Sequence, residues 1–458
     1  MVYSSLLFIY GFLPFSLLFY YITPNRQREK MLLLLSMLFC GAMGLCYLGL
    51  MLAYTVVNYT ACRMIGKNRG KPAAAVPFAA AMIFDLAAIL VFRTKYFIGS
   101  YSIIGWPEGI FPIGISFVTL AMLGTLIDVY NGRISEEKSI FRFALYVMFF
   151  PKLIMGPVLR YRSFSKALGS RRDGLNEIGI GISIFVKGLS KKVIVADNLY
   201  MLYKAVRSVD PADMSAMTAW LGIAAFLLSL YFTMSGFSDM GVGLSHCFGM
   251  RLPQCFSYPL FRTKIRYFAA RWHMQAMHWF RHYITKPLSS FSRSRIFRRC
   301  IYILSWGAFG FWYSFDMNGI VWGIILAAAI IVENRFSKHR LLAVTGVIYT
   351  FIITAFAAVF LACDSISDSL RYIFAMLGGN KMFADSLGFY LFRYYVVILL
   401  VAMYASTDLF RNMLIRSGKT RFRTVIAASA PLIVLTFAVL CTILLSYSGS
   451  SGMIIMKL

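Results

Sequence analysis

Long apolar runs separated by short basic stretches set the pattern of this chain. Nearly uninterrupted hydrophobic positions cover 2–22, 73–92, 217–233, 341–361, 387–403 and 425–447, and each approaches or exceeds the ~20 residues a helix needs to cross a bilayer. Less clean segments bring the expected total to about ten or more transmembrane or re-entrant helices. The pattern therefore predicts an all-α, polytopic integral membrane protein. No internal repeat, low-complexity linker or hydrophilic block of domain size interrupts it, so residues 1–458 read as one membrane domain. The first run follows no basic region and lacks a small-residue cleavage site, so it is expected to stay as an anchor.

Breaks in the pattern are as informative as the runs. The apolar block 31–62 is long enough to cross twice, and a hairpin turning near Gly41 and Gly44 would bring two basic clusters to one side. These are Arg26, Arg28 and Lys30, and Arg63, Lys67, Arg69 and Lys71. Basic loops mark the cytoplasmic face, which puts the N-terminus outside. The segments 106–116 and 150–157 are too rich in proline and glycine for a regular spanning helix. Irregular backbone survives at membrane depth only where protein or a cavity satisfies its polar groups, so both are expected to be re-entrant elements lining an interior cavity.

Composition narrows the class. Only 14% of the 458 residues are charged and 59% are hydrophobic, against about 25% charged in an ordinary soluble domain. The net charge of +28 would suit a nucleic-acid partner, but no nucleic-acid motif accompanies it. Basic loops in a membrane protein record orientation and contact with anionic lipid, so lipid is an expected partner and nucleic acid is not. The stretch 251–300 carries many lysines and arginines and no acidic residue. Singly these read as solvated loop positions; together they form a positive funnel that would concentrate an anionic donor such as a phosphopantetheine thioester. The eight cysteines form no CxxC pair and read as small core residues, not as disulfides or a zinc site.

Polar chemistry concentrates in 231–288, which holds Ser235, Ser238 and Asp239, then Arg271, Trp272 and His273, then Trp279 to Tyr283. Such a cluster beside apolar helices is by default a site, because ionisable groups are costly at membrane depth. Histidine is the side chain best poised to act as a base near neutral pH, which makes His273 the leading candidate. Asp239 would orient a ring nitrogen of His273 or pair with Arg271 or Arg281, an ion pair being the simpler role. His278 and His282 share a helical face, whereas His273 and His282 would point oppositely on a straight helix. No nearby third ligand completes a metal site, so none is predicted.

Several blocks then recur in a fixed order: FPIGISF (111–117) with LIDVY (126–130), FPKLIMGP (150–157) with Arg160 and Arg162, GLSKK (188–192) with Asp197, YFTMSGFSD (231–239), Arg271-Trp272-His273, and Trp312 with Trp322-Gly323. Together they resemble the membrane-bound O-acyltransferase family, in its bacterial branch of alginate O-acetylation and teichoic acid D-alanylation proteins. The resemblance implies a multi-helix bowl with a central tunnel where a cytoplasmic donor meets an extracytoplasmic acceptor. It implies transfer of an acyl group, an acetyl group first of all, from acyl-CoA or an acyl-carrier protein to a hydroxyl of an exported cell-envelope polymer or of a relay partner. No bound cofactor is implied; an extracytoplasmic acyltransferase partner is, as is a multi-pass place in the bacterial cytoplasmic membrane.

The chain departs from the family where it matters most. The family's presumed catalytic histidine follows one tryptophan and precedes a second by nine residues; here Trp312 and Trp322 are in frame and the position between them is Tyr313. Phe268-Ala269-Ala270 stands in place of Phe-Trp-Arg ahead of Arg271, and His282 in place of an aspartate. In the enzymatic reading His273 assists proton transfer or orients the acceptor, and Tyr313 donates to the thioester carbonyl. Asp239 and Arg271 hold the geometry, supported by Ser235, Trp272, Arg281 and Trp312. The alternative is a catalytically degenerate homologue acting as a scaffold or acyl conduit for a partner enzyme. Hydropathy alone would also permit a transporter, which the ordered motifs do not suggest.

Overall fold

A computed structural model describes residues 2–98, 114–336, 345–409, 412 and 420–448, and the side chains of 94–98, 336, 420–427 and 448 are outside that description. The chain is helical and no strand occurs among the described residues. Six described helices are long and apolar enough to cross a membrane, and Leu7–Ile22, Ile115–Tyr130 and Gly346–Ala362 are shorter apolar helices. A polytopic, all-α membrane protein is therefore what these residues form. The expected re-entrant element at 106–116 falls mainly outside the described residues.

Contacts gather into two compact units, Met1–Phe185 with Phe237–Gln254, and Val186–Gly236 with Cys255–Leu458. The first contains α1 (Leu13–Ile22), α2 (Arg28–Met43), α3 (Leu45–Lys67), α4 (Ala75–Ile98), α5 (Ile115–Tyr130), α6 (Ile140–Met148), α7 (Phe150–Leu153), α8 (Tyr161–Gly169) and most of α9 (Leu175–Ser190). The predicted hairpin turns at Gly44, whose φ of 142° is open to glycine and closed to residues bearing a Cβ. Its charged ends are tied down: Arg28 pairs with Asp173 at 2.6 Å, Arg142 with Glu29 at 2.9 Å and Arg63 with Glu136 at 3.6 Å. Inside the apolar layer α3 and α4 share a polar link, Asn58 Nδ2 donating to Asp85 Oδ1 at 2.9 Å. Both side chains are wholly buried, as polar groups in a spanning helix must be.

The break expected at 150–157 is present. The single turn α7 gives way at Ile154, and Met155 takes a left-handed φ of 52°. The Lys152 side chain is buried with its Nζ 3.8 Å from the centre of the Tyr146 ring, in cation–π contact. It makes no hydrogen bond and lines a small cavity with Phe117, Ala121 and Leu159. Its aliphatic stem fills space while its charge lacks an acceptor. Lys152→Met is therefore expected to unfold in detergent within about 1 kcal/mol of wild type, whereas Lys152→Ala loses about 2–5 kcal/mol. A loss for Met as large as for Ala would mean that the charge is itself required.

The second unit holds the end of α9, then α10 (Asp197–Arg207), the first part of α11 (Ala216–Cys247), α12 (Ile265–Arg271), α13 (Met274–Phe280), α14 (Lys286–Ser289), α15 (Arg295–Ser314), α16 (Met317–Phe336), α17 (Gly346–Ala362), α18 (Ile366–Met376), α19 (Ser386–Ala405) and α20 (Thr420–Ser448). Its best-packed pair is α15 against α16. Gly310 faces Gly319, and a Cβ added at Gly310 would stand 1.9 Å from the Gly319 carbonyl oxygen; one at Gly323 would stand 2.1 Å from that of Trp306. Small residues at such crossings let two backbones touch, the usual way helices associate in lipid.

Candidate functional site

The site lies within the second unit, where a broken helix meets the end of α15. The first helix, α12, is only seven residues long and ends as Trp272 turns extended (φ −88°, ψ 121°). His273 then takes a left-handed conformation (φ 43°, ψ 51°) before α13 begins. A non-glycine residue there is strained by about 1–3 kcal/mol, so the surroundings must hold it. They do so through the backbone: Met274 N–H donates to Cys255 O at 2.7 Å, and Ser257 N–H to Arg271 O at 3.2 Å.

The other half is the last turn of α15. Phe315 closes that helix with a left-handed φ of 59°. Asp316 accepts from Ser314 Oγ at 2.6 Å and from Gly319 N–H at 2.7 Å, which caps α16 and fixes the angle of the turn. Trp312 and Tyr313 stand immediately before this turn, and Trp322 on α16 stacks on the Tyr313 ring at 5.2 Å.

These two halves bring the sequence candidates together. The His273 ring lies edge-on to Trp312 at 5.7 Å, to Phe256 at 5.3 Å and to Tyr313 at 6.5 Å between centroids. His273 is 1% exposed and Tyr313 2% exposed. The Tyr313 hydroxyl donates to the sulfur of Met234, a weak acceptor. The Trp272 indole N–H is buried and makes no hydrogen bond.

Burial pushes the His273 pKa down from the usual 6.5 to about 4, because an apolar enclosure disfavours imidazolium. The ring is thus neutral at physiological pH with a lone pair able to take a proton. The linked stability follows in sign: the unfolded chain binds a proton below pH 6.5 that the folded chain refuses, so this contribution is whole above 6.5 and lost as pH falls toward 4. The melting curve of wild type in detergent should therefore worsen more steeply between pH 6.5 and 4 than that of His273→Phe, by about 3 kcal/mol over the window. Parallel curves would show that the imidazole titrates normally.

Ser235 is buried and accepts from Lys191 Nζ at 2.7 Å. Arg271 ends α12, half-buried, with its carbonyl in the backbone pairing described above. Arg281 is exposed in the wide π-type turn Arg281–Thr285, and His278 is exposed too. Asp239 is buried on the part of α11 that belongs to the first unit. His246, also there, lies 3.3 Å from Glu177, while His339 is outside the described residues. Sequence reasoning missed Met234 and Phe256, which complete the surroundings of the phenol and the imidazole. Met234 sits inside the block 231–239, but nothing in its type distinguishes it from a core residue.

Comparison with known proteins points the same way. The model of the membrane-bound O-acyltransferase family matches residues 119–363. A protein of Azotobacter vinelandii named a probable alginate O-acetylase is 33% identical over 337 residues, covering 70% of this chain and 66% of that protein. A peptidoglycan O-acetyltransferase of Helicobacter pylori is 26% identical over 429 residues, 83% of this chain and 80% of its own length. A teichoic acid D-alanyltransferase of Bacillus subtilis is 26% identical over 239 residues, 49% of this chain and 60% of its own. The matched part of this chain thus spans just under two thirds of the Azotobacter relative's length.

Proposed function

The chain belongs to the membrane-bound O-acyltransferase family, and from that premise we propose that it transfers an acyl group, an acetyl group first of all, to a hydroxyl of an exported envelope polymer or of a relay partner. The observation that carries the reading is the meeting of a buried, neutral His273 with Tyr313, the residue at the family's histidine position. In the proposed reaction the imidazole takes the acceptor hydroxyl's proton as its oxygen attacks the thioester carbonyl. The C–S bond breaks, the thiolate leaves with that proton, and the ester remains on the acceptor. The unpartnered Trp272 N–H and the Tyr313 O–H, the latter after leaving Met234, are the donors assigned to the carbonyl oxygen.

Sidedness completes the proposal. The basic stretch 251–300 faces the cytoplasm and attracts an anionic thioester, acyl-CoA or an acyl-carrier protein, while the N-terminus and an acyl-accepting partner protein lie outside. A tunnel between the sides is part of this reading. Names of the relatives support acetyl or D-alanyl transfer to alginate, peptidoglycan or teichoic acid in those proteins, and the polymer for this chain is chosen by assay.

One observation favours a second reading. With a phenol whose ordinary pKa near 10 makes it a poor base, and with its O–H donated in a hydrogen bond to the Met234 sulfur, the family's usual catalytic position is without a base. The chain would then serve as a scaffold or conduit for a partner enzyme. Complementing a deletion strain and measuring ester-linked acyl groups on the envelope separates the two. Under the enzymatic reading Tyr313→Phe lowers acylation about a hundredfold, by removing one oxyanion donor while keeping the ring. Unchanged acylation in both Tyr313→Phe and His273→Ala would leave the scaffold. A large gain in Tyr313→His would mark the present chain as the degenerate member.

A further inference from the structure

We infer that Glu333 is a positioning residue for His273, holding the helix that delivers the imidazole; the inference rests on the reading of His273 given above. Glu333 is the first charged residue of α16, following a wholly uncharged stretch 317–332. It is 2% exposed, and a carboxylate so placed is costly without partners. Its partners lie at the entrance to α12. Glu333 Oε2 accepts the Ile265 backbone N–H at 2.6 Å, and Oε1 lies 3.9 Å from Arg266 Nε.

That contact meets a specific need. The first N–H groups of any helix lack intrahelical acceptors, and the residue preceding α12, Lys264, supplies no side-chain cap. The carboxylate of a different helix takes the role. The same approach segment is clamped elsewhere. Arg262 reaches Asp408 at 3.1 Å, and a Cβ on Gly346, the first residue of α17, would stand 2.2 Å from Thr263 O.

Distances along the helices show what the clamp achieves. Trp322 stacks on Tyr313 and Glu333 lies eleven residues further along α16, a rise of about 16 Å. From Ile265 to Arg271 α12 rises about 9 Å, and His273 follows two residues beyond its end. One rigid helix thus bears on both members of the site: directly on Tyr313, and through the first turn of α12 on His273. Fixing Ile265 against α16 sets how far α12 carries the strained His273 toward the end of α15.

The test uses the full chain purified in detergent, together with the complemented deletion strain. Glu333→Ala should raise hydrogen–deuterium exchange in the peptide 265–273 while α15 and α16 keep their protection, and should lower envelope acylation at least about tenfold, as misplacements of about 1 Å do. Glu333→Gln keeps an oxygen for the Ile265 N–H, so both readouts should return to within about threefold of wild type. Two results overturn the inference: wild-type protection of 265–273 in Glu333→Ala, or Glu333→Gln as defective as Glu333→Ala. If the alanine variant unfolds, the glutamine variant decides alone. Full acylation in His273→Ala would sink the functional reading, while the exchange data would still show whether Glu333 holds α12.

Discussion

His273→Ala is expected to reduce envelope acylation by at least about a hundredfold, the lower end of what a positioned general base contributes. The expectation rests on geometry as much as on residue type. The imidazole is enclosed by Phe256, Trp312 and Tyr313, neutral because of burial, and held by backbone bonds from Met274 to Cys255 and from Ser257 to Arg271. His273→Gln, close in size and able to hydrogen-bond but not to accept a proton at neutral pH, separates loss of chemistry from loss of packing. It should melt near the wild-type temperature in detergent and be almost as inactive as His273→Ala. Acylation near wild type in the glutamine variant would remove the base from this site and reduce His273 to a packing residue.

The second large effect concerns the frame that holds Tyr313. Gly310→Ala should destabilise the protein by about 3 kcal/mol, because overpacking a closed interface forces backbones apart. The added methyl would stand 1.9 Å from the Gly319 carbonyl oxygen, an atom that cannot rotate away. Gly307→Ala, one turn earlier on the same helix, meets only side-chain carbons of Ile320 and Ile324 at 3.6 and 3.7 Å. There the alanine's higher helix propensity should leave stability unchanged or raise it by up to about 1 kcal/mol. Melting curves of the two variants in detergent make the comparison. Equal behaviour would mean that α15 and α16 are not in backbone contact, and the placement of Tyr313 against Trp322 would lose its support.

The contrast between Gly44 and Gly310 shows where sequence reasoning reaches. A turn near Gly41 and Gly44 was legible because an apolar block long enough to cross twice must reverse somewhere, and the observed φ of 142° places the reversal at Gly44. The glycines of α15 and α16 find their partners on another helix, and hydropathy carries no pairing information.

The membrane class, the helical content and the interruption at 150–157 follow from the chain alone, because each depends on local length, residue type or spacing; that Tyr313 stands where the family has a histidine is what the resemblance implies. His273 was also legible, as the histidine of a polar cluster in an apolar chain. That its ring meets Tyr313 across forty residues of sequence, that the phenol O–H donates a hydrogen bond to Met234, and that Glu333 receives the first N–H of α12 were decided only by tertiary structure. Each is a contact between helices, fixed by crossing geometry and by side-chain direction. Composition and periodicity state which face of a helix is apolar, but the neighbour that a given side chain finds depends on how the helices pack.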